Sequence, residues 1–257
     1  MRLKSNVMNF ESLYSDYYDL MYADHPTSKE CEYCEGLIQS QILKAASMLE
    51  FGCGTGRHGE FFEKSGHRWS GVELSKTMAD KEIKKGLDIK VGNIMKPMVV
   101  QAKYDVVLSL FHVVSYCTTN SDVKTLFKNA YEHLNPGGLF VFDVWYTPAV
   151  LSLKPEKRTK EFVNDDIRVV RTANPRVFWN ENLVEVNFDI QVFGKADNEQ
   201  KLTTFKEAHL MRHFGAPEIR LFSELTNFEV IKEEEWLTGE ALSSTTWGAT
   251  FVLQKKS

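Results

Sequence analysis

Residues 48–57 read Met48-Leu49-Glu50-Phe51-Gly52-Cys53-Gly54-Thr55-Gly56-Arg57, an apolar run that delivers three alternating glycines to the start of a helical stretch. Glycine accepts the positive φ of a tight turn and leaves bare backbone for a ligand to lie against. The helix beyond offers N–H groups with no partner inside the helix. An overlapping frame, Gly54-x-Gly56-x-x-Gly59, superficially matches a dinucleotide fingerprint. Two features count against it. The first glycine is Gly52, so the frame starts inside the turn and not at the strand end. Glu50, two residues earlier, would repel a pyrophosphate but suits a ligand with an ammonium group.

Outward from this turn the pattern alternates. Strands are expected at Ala46–Phe51, Arg68–Leu74, Ile89–Val91, Tyr104–Leu110 and Leu139–Trp145, with helices at Arg57–Lys64, Ser75–Lys85 and Ser121–Leu134 between them. A turn is expected at Pro136-Gly137-Gly138. Apolar strands alternating with helices read as a parallel, doubly wound α/β sheet. Ahead of it, residues 9–23 space Phe10, Leu13, Tyr14, Tyr17, Leu20 and Met21 as a helix, and Tyr14, Tyr18 and Tyr22 share one stripe. Pro26 breaks that segment, and a second helix starts at Thr27 or Ser28 and runs to about Lys44.

The character changes after Pro148. Leu183–Phe193 alternates strictly, Val184, Val186, Phe188, Ile190 and Val192 against Glu185, Asn187, Asp189 and Gln191, which is an antiparallel strand with one wet face. Ile167–Thr172 and Leu202–Arg212 read as its partners, with turns at Asn174-Pro175 and Lys195–Asn198, in a layer of three or four strands. A short helix, Pro217–Thr226, and two strands, Phe228–Trp236 and Thr246–Leu253, then rejoin the main sheet. The expected organisation is an N-terminal helical lid (1–45), a cofactor-binding domain of seven mainly parallel strands (46–150 and 215–257), and an antiparallel insert (151–214) that forms an acceptor pocket.

Composition narrows the function. The 257 residues are 43% hydrophobic and 26% charged, an ordinary globular balance, and 31 basic against 35 acidic residues give a net charge of -4. That is a poor footprint for a nucleic-acid binder. No apolar run approaches the ~20 residues of a membrane span, and the first residues carry no apolar leader. The cysteines at 31, 34, 53 and 117 read as free thiols of a cytoplasmic protein. Cys31-x-x-Cys34 has no second pair nearby, so no metal is expected.

Further pieces surround the glycine turn. Gly71-Val72-Glu73-Leu74-Ser75 ends the second strand with an acid about twenty residues on, placed for the hydroxyls of a ribose. Together with Tyr104-Asp105-Val106-Val107-Leu108-Ser109 and Leu134-Asn135-Pro136-Gly137-Gly138, the chain resembles class I S-adenosylmethionine-dependent methyltransferases along nearly its whole length. The resemblance implies a Rossmann-like fold and S-adenosylmethionine as cofactor. It implies that Gly52, Cys53 and Gly54 line the methionine moiety with Glu50 supporting the loop, that Glu73 binds the ribose, and that Leu74, Asn93, Ile94 and Leu110, with Phe111, surround the adenine. The family usually has Asp where this chain has Asn93.

Within that family the chain is most similar to nucleotide-linked amino-sugar N,N-dimethyltransferases. The shared segments are Tyr14–Tyr22 followed by Lys29, Phe111–Tyr116, Phe142-Asp143-Val144-Trp145-Tyr146, and His209–Phe214 at the end of the insert. The resemblance adds Tyr14, Tyr22 and Lys29 to the cofactor-binding set and implies a small-molecule acceptor, a sugar nucleotide, bound by a monomer or homodimer. Arg168, Arg171 and Lys29 are candidates for an acceptor's phosphates.

Methyl transfer from a sulfonium is an in-line displacement in which positioning and removal of water do most of the work. An amine needs only to be neutral, whereas an alcohol needs a base. The candidate bases are His112, just past the fourth strand, and His209 or Glu207 on the insert; a histidine in either place also serves for packing or capping. The alternatives are an O-methyltransferase on another metabolite, a nicotinamide-dependent oxidoreductase using residues 54–59, and a non-catalytic regulator that keeps the fold.

Overall fold

The computed structural model describes residues 12–42, 44–99, 101–195 and 200–256. Phe10, the Leu13 side chain and residues 196–198 of the expected Lys195–Asn198 turn lie outside them. The described chain divides into two units.

The larger unit spans Pro26–Leu153 and Arg212–Ser257. Its strands are β1 (Ser47–Phe51), β2 (Arg68–Glu73), β3 (Ile89–Val91), β4 (Tyr104–Ser109), β5 (Leu134–Trp145), β10 (Phe228–Glu235) and β11 (Gly248–Lys255), in the order β10-β11-β5-β4-β1-β2-β3. β1 to β5 pair in parallel, while β11 runs antiparallel to both β5 and β10. This is the doubly wound α/β sheet that the sequence predicts.

Both faces are covered, which is why the strands read as continuous apolar runs. Leu49, Phe51, Val107, Phe140, Phe142 and Phe251 pack on one face with Val123, Leu126 and Phe127 of α5 (Asn120–His133) and Ile219 and Phe222 of α6 (Ala216–Leu225). Met48, Val106, Leu108 and Val141 pack on the other with Cys31, Cys34, Leu37 and Ile38 of α2 (Thr27–Gln39), Phe62 of α3 (Arg57–Lys64) and Ala79 of α4 (Lys76–Ile83). The chain leaves β1 toward β2 and β3, then returns to the other side of β1 as β4. The sheet therefore has its switch point between the carboxyl ends of β1 and β4, where such folds bind ligands.

The smaller unit holds α1 (Ser12–Met21), with residues up to His25, and Lys154–Met211. Its sheet is β6-β7-β8-β9: β6 (Arg158–Val163), β7 (Ile167–Phe178), β8 (Leu183–Gly194) and β9 (Lys201–Arg212). The two N-terminal helices thus fall in different units, α1 in the smaller and α2 in the larger.

Several details depart from expectation. The helix expected to reach Lys44 ends at Gln39. Asn174-Pro175 is not a turn, because β7 continues through it to Phe178 and pairs Pro175 with Val186. β6 begins opposite Ala173, so among the described residues the rest of β7 pairs with β8 alone, and a proline lacking an N–H is tolerated on an edge. The reversal falls instead at residues 179–182, closed by Asn182 at φ 55. Pairing of β5 already begins at Leu134, and a register shift absorbs the Asn135–Gly138 loop. Among the described residues, no helix is long and apolar enough to cross a membrane.

Candidate active site

The glycine turn closes β1 with three positive φ angles, 69° at Gly52, 54° at Gly54 and 62° at Gly56. A β-carbon on Gly52 would lie 2.7 Å from Val113, so the exits of β1 and β4 touch there. A β-carbon on Gly54 would meet nothing within 4 Å. The bare backbone at Gly54 thus faces open space, a cradle that any side chain would fill. Gly59 lies against Trp69, where a β-carbon would come within 2.7 Å, so it serves helix–strand packing.

Two buried acids hold the turn. Glu73 ends β2 and accepts the Gly54 N–H at 2.9 Å and the Ser75 N–H at 2.7 Å, tying the turn to the next loop. Burial raises its pKa, although the N–H groups of Ser75, Gly54 and Leu74 oppose the shift. Leu74 beside it is 39% exposed, an apolar surface next to the carboxylate. Glu50 is spent inside the protein: it accepts from the Trp69 indole at 3.0 Å and pairs with His58 Nδ1 at 2.7 Å. His58 also reaches Glu30 of α2 at 3.3 Å. Burial works against the charge on His58, but Glu50 and Glu30 prevail and raise its pKa to about 10. Glu50 therefore supports the turn through a charge relay to α2 and α3. Glu30, His58 and Trp69 escaped sequence reading, because only folding brings them to Glu50.

The remaining expected positions fall as follows. Cys53 is buried beneath the turn, and burial raises its thiol pKa. Asn93 is half-buried and its Oδ1 accepts the Met95 N–H at 2.9 Å. Ile94 is buried, its carbonyl fixed by Asn129. Leu110 is buried in the sheet layer, leaving the half-buried Phe111 as the more accessible of that pair. Lys29 is exposed on the first turn of α2.

At the end of β4, Phe111 and His112 take φ of 62° and 61°, two successive non-glycine residues in the left-handed region. Such strain persists where the surroundings fix it and clusters at functional sites. The fixing group is Asp143 of β5, wholly buried, which accepts the His112 N–H at 3.1 Å on each oxygen and pairs with His112 Nδ1. Burial lowers the His112 pKa, but Asp143, with a smaller push from Glu30, overrides it and raises it. His112 stacks on Phe111 at 5.9 Å and meets the edge of Trp145 at 6.2 Å. Asp143 was legible only as part of an aromatic stretch; its signal is a lone acid inside an apolar strand.

His209, Tyr14 and Tyr22 belong to the smaller unit and form a group of their own there. His209 is 4% exposed, with the rings of Tyr14 and Phe188 at 5.6 and 5.3 Å. Burial, aided by Arg171, lowers its pKa to about 4. The Tyr14 and Tyr22 hydroxyls are 3.3 Å apart, and Arg171 donates to Tyr22 at 3.0 Å while lying over the Tyr22, Phe162 and Phe188 rings.

Residues 48–138 match the model of a family described as a methyltransferase domain. Over that stretch the chain is similar to a methyltransferase domain. S-adenosylmethionine is its methyl donor, and the backbone cradle at Gly54 flanked by Glu73 and Leu74 fits that molecule. The methyltransferase chain is 28% identical over 213 residues to the dTDP-3-amino-3,4,6-trideoxy-alpha-D-glucopyranose N,N-dimethyltransferase of Streptomyces venezuelae, covering 81% of this chain and 87% of that one. Its fold is shared with the sugar N-methyltransferase KedS8 from Streptoalloteichus (TM-score 0.80, 18% identity, 100% of this chain and 99% of that one). It is also shared with CalS10, an amino pentose methyltransferase from Micromonospora echinaspora (TM-score 0.75, 20% identity, 99% and 100%).

Proposed function

We propose that this protein transfers methyl groups to the amine of a nucleotide-linked amino sugar. The observation that carries the reading is the placement of His112, a paired histidine at the carboxyl end of β4 whose neighbour Val113 lies against Gly52 of the glycine turn. The relative from S. venezuelae, named for an amino-sugar substrate, supports it.

S-adenosylmethionine supplies a methyl group already activated by its sulfonium. When bound, its methionine end would be held by the backbone of Gly52, Cys53 and Gly54, and Glu73 would take the ribose hydroxyls with lone pairs its two N–H donors leave over. Leu74 and Phe111 would give its adenine an apolar surface, and Asn93 and Ile94 would hold the adenine edge. His112 removes the proton that an amine carries near neutral pH, which the nitrogen must lose before it can act as a nucleophile. In the smaller unit, taken by itself, we assign Arg171, with Arg168 on the same strand, to an anionic group such as a phosphate. Its guanidinium is pre-set by Tyr22, which lowers the ordering cost of a bidentate phosphate contact. The low net charge and free cysteines favour work in the cytoplasm on a small molecule, by a monomer or homodimer.

An acceptor screen with methyl-labelled cofactor against nucleotide-linked amino sugars tests this reading. Label on nitrogen is expected. Label on oxygen would overturn the amine assignment, and cofactor binding without turnover would favour a regulator.

A further inference from the structure

Strand β5 passes through the core as Phe140-Val141-Phe142-Asp143-Val144-Trp145, and Asp143 is its one charged residue. It is fully buried, with Phe142 and Val144 beside it equally so. A carboxylate in such surroundings is costly unless its oxygens are answered. Here one residue answers both. The backbone N–H of His112 donates to each oxygen at 3.1 Å, and the His112 ring pairs with the same carboxylate through Nδ1. Asp143 thus holds the backbone and the ring of a residue whose φ, 61°, an L side chain rarely adopts.

Among the described residues, the ring of His112 also has aromatic and apolar contacts. Phe111 stacks on the ring, Trp145 meets its edge, and a β-carbon on Gly248 would lie 3.7 Å from His112 Cε1. The charged groups that face His112 are Asp143 on β5 and, more weakly, Glu30 on α2. The imidazole itself remains 26% exposed while its partner is wholly buried. The pair therefore has one sealed end and one accessible end.

We propose that Asp143 is a positioning residue for methyl transfer, which keeps the His112 proton on Nδ1 and so leaves the Nε2 lone pair as the acceptor for a substrate proton. This rests on the reading of His112 as the base. In the step, an N–H bond of the acceptor ammonium breaks, its proton forms the new Nε2–H bond, and the bonding pair stays on the amine nitrogen. The imidazolium so formed is stabilised by the Asp143 carboxylate paired with it, and it returns its proton to water after the transfer. Without Asp143 the neutral ring is free to carry its proton on Nε2, where it cannot accept another.

The test combines spectroscopy and kinetics on the full chain. Nitrogen NMR of the protein labelled at histidine is expected to show neutral His112 as the Nδ1–H tautomer. Asp143→Asn is expected to lower kcat by about 10²-fold or more, with the acceptor KM and cofactor affinity unchanged. The acidic limb of its pH–rate profile should move to lower pH, because the charge that raises His112 is gone. In His112→Ala the Asn substitution should cause no further loss. If His112→Ala keeps full kcat, the base reading itself fails. If His112→Ala loses activity while Asp143→Asn keeps both kcat and pH limb, Asp143 has no positioning role. An Nε2–H tautomer in the unsubstituted protein would overturn the proposal even where Asp143→Asn does not fold.

Discussion

His112 and His209 both sit among aromatic rings, yet their surroundings push them in opposite directions. His112 has a buried carboxylate partner and rises; His209 has Arg171 beside it and falls to about 4. His112 has a carboxylate partner to stabilise the charge of an accepted proton. His112→Ala should lower kcat by about 10²–10⁴-fold with cofactor affinity retained, read by steady-state kinetics and calorimetry. His209→Ala should chiefly destabilise. The signs for stability also differ. Above the unfolded value of about 6.5 neither state binds a proton at His209; below it the unfolded chain does and the native one resists until about 4. Stability tied to His209 is therefore lost as pH falls across that window, by up to about 3 kcal/mol. Denaturant titrations from pH 7 to about 4 should show a shallower decline for His209→Gln than for the unsubstituted protein. For His112, stabilisation is present below about 6.5 and is lost as pH rises through its raised folded value.

In the proposed reading, the glycine turn separates what folds the protein from what would bind the donor. Gly52 and Gly54 share a left-handed backbone, but a β-carbon meets Val113 at one and open space at the other. Gly54→Ala should therefore cost only the backbone strain, ~1–2 kcal/mol, while cofactor affinity falls at least about tenfold, the equivalent of ~1.4 kcal/mol. Gly52→Ala should lower the melting temperature more, because Val113 must move as well. Thermal unfolding alongside calorimetry distinguishes the two. The same turn was legible from residues 48–57 because its signals are local: a strand's apolar run, glycines that permit the turn, an acid at the end of the next strand. Pro175 shows the limit. Asn-Pro reads as a turn wherever the far partner of a strand is unknown, and only the point where β6 begins makes a proline acceptable there. Glu50 shows another. Its charge is visible in sequence, but His58 and Trp69 come from a helix and a strand whose packing decides where that charge points.

Across the whole chain, the change of character after Pro148 marks the boundary between a parallel and an antiparallel sheet, and local patterning suffices to see it. The separation of α1 from α2 was not visible, since the intervening Pro26 breaks a helix without saying which sheet each half joins. A ligand bound only by the native state stabilises it in proportion to concentration, so S-adenosylmethionine should raise the melting temperature in a dose-dependent way and NAD should not. An NAD response instead would restore the 54–59 glycine frame as a dinucleotide site. The most direct test of the central claim is transfer itself: methyl-labelled S-adenosylmethionine, the full-length protein and a nucleotide-linked amino sugar, with the product resolved by mass spectrometry and NMR. The prediction is a sugar nucleotide heavier by whole methyl groups, each on the amino nitrogen. Label on an oxygen, or no labelled sugar while the cofactor binds, would contradict it.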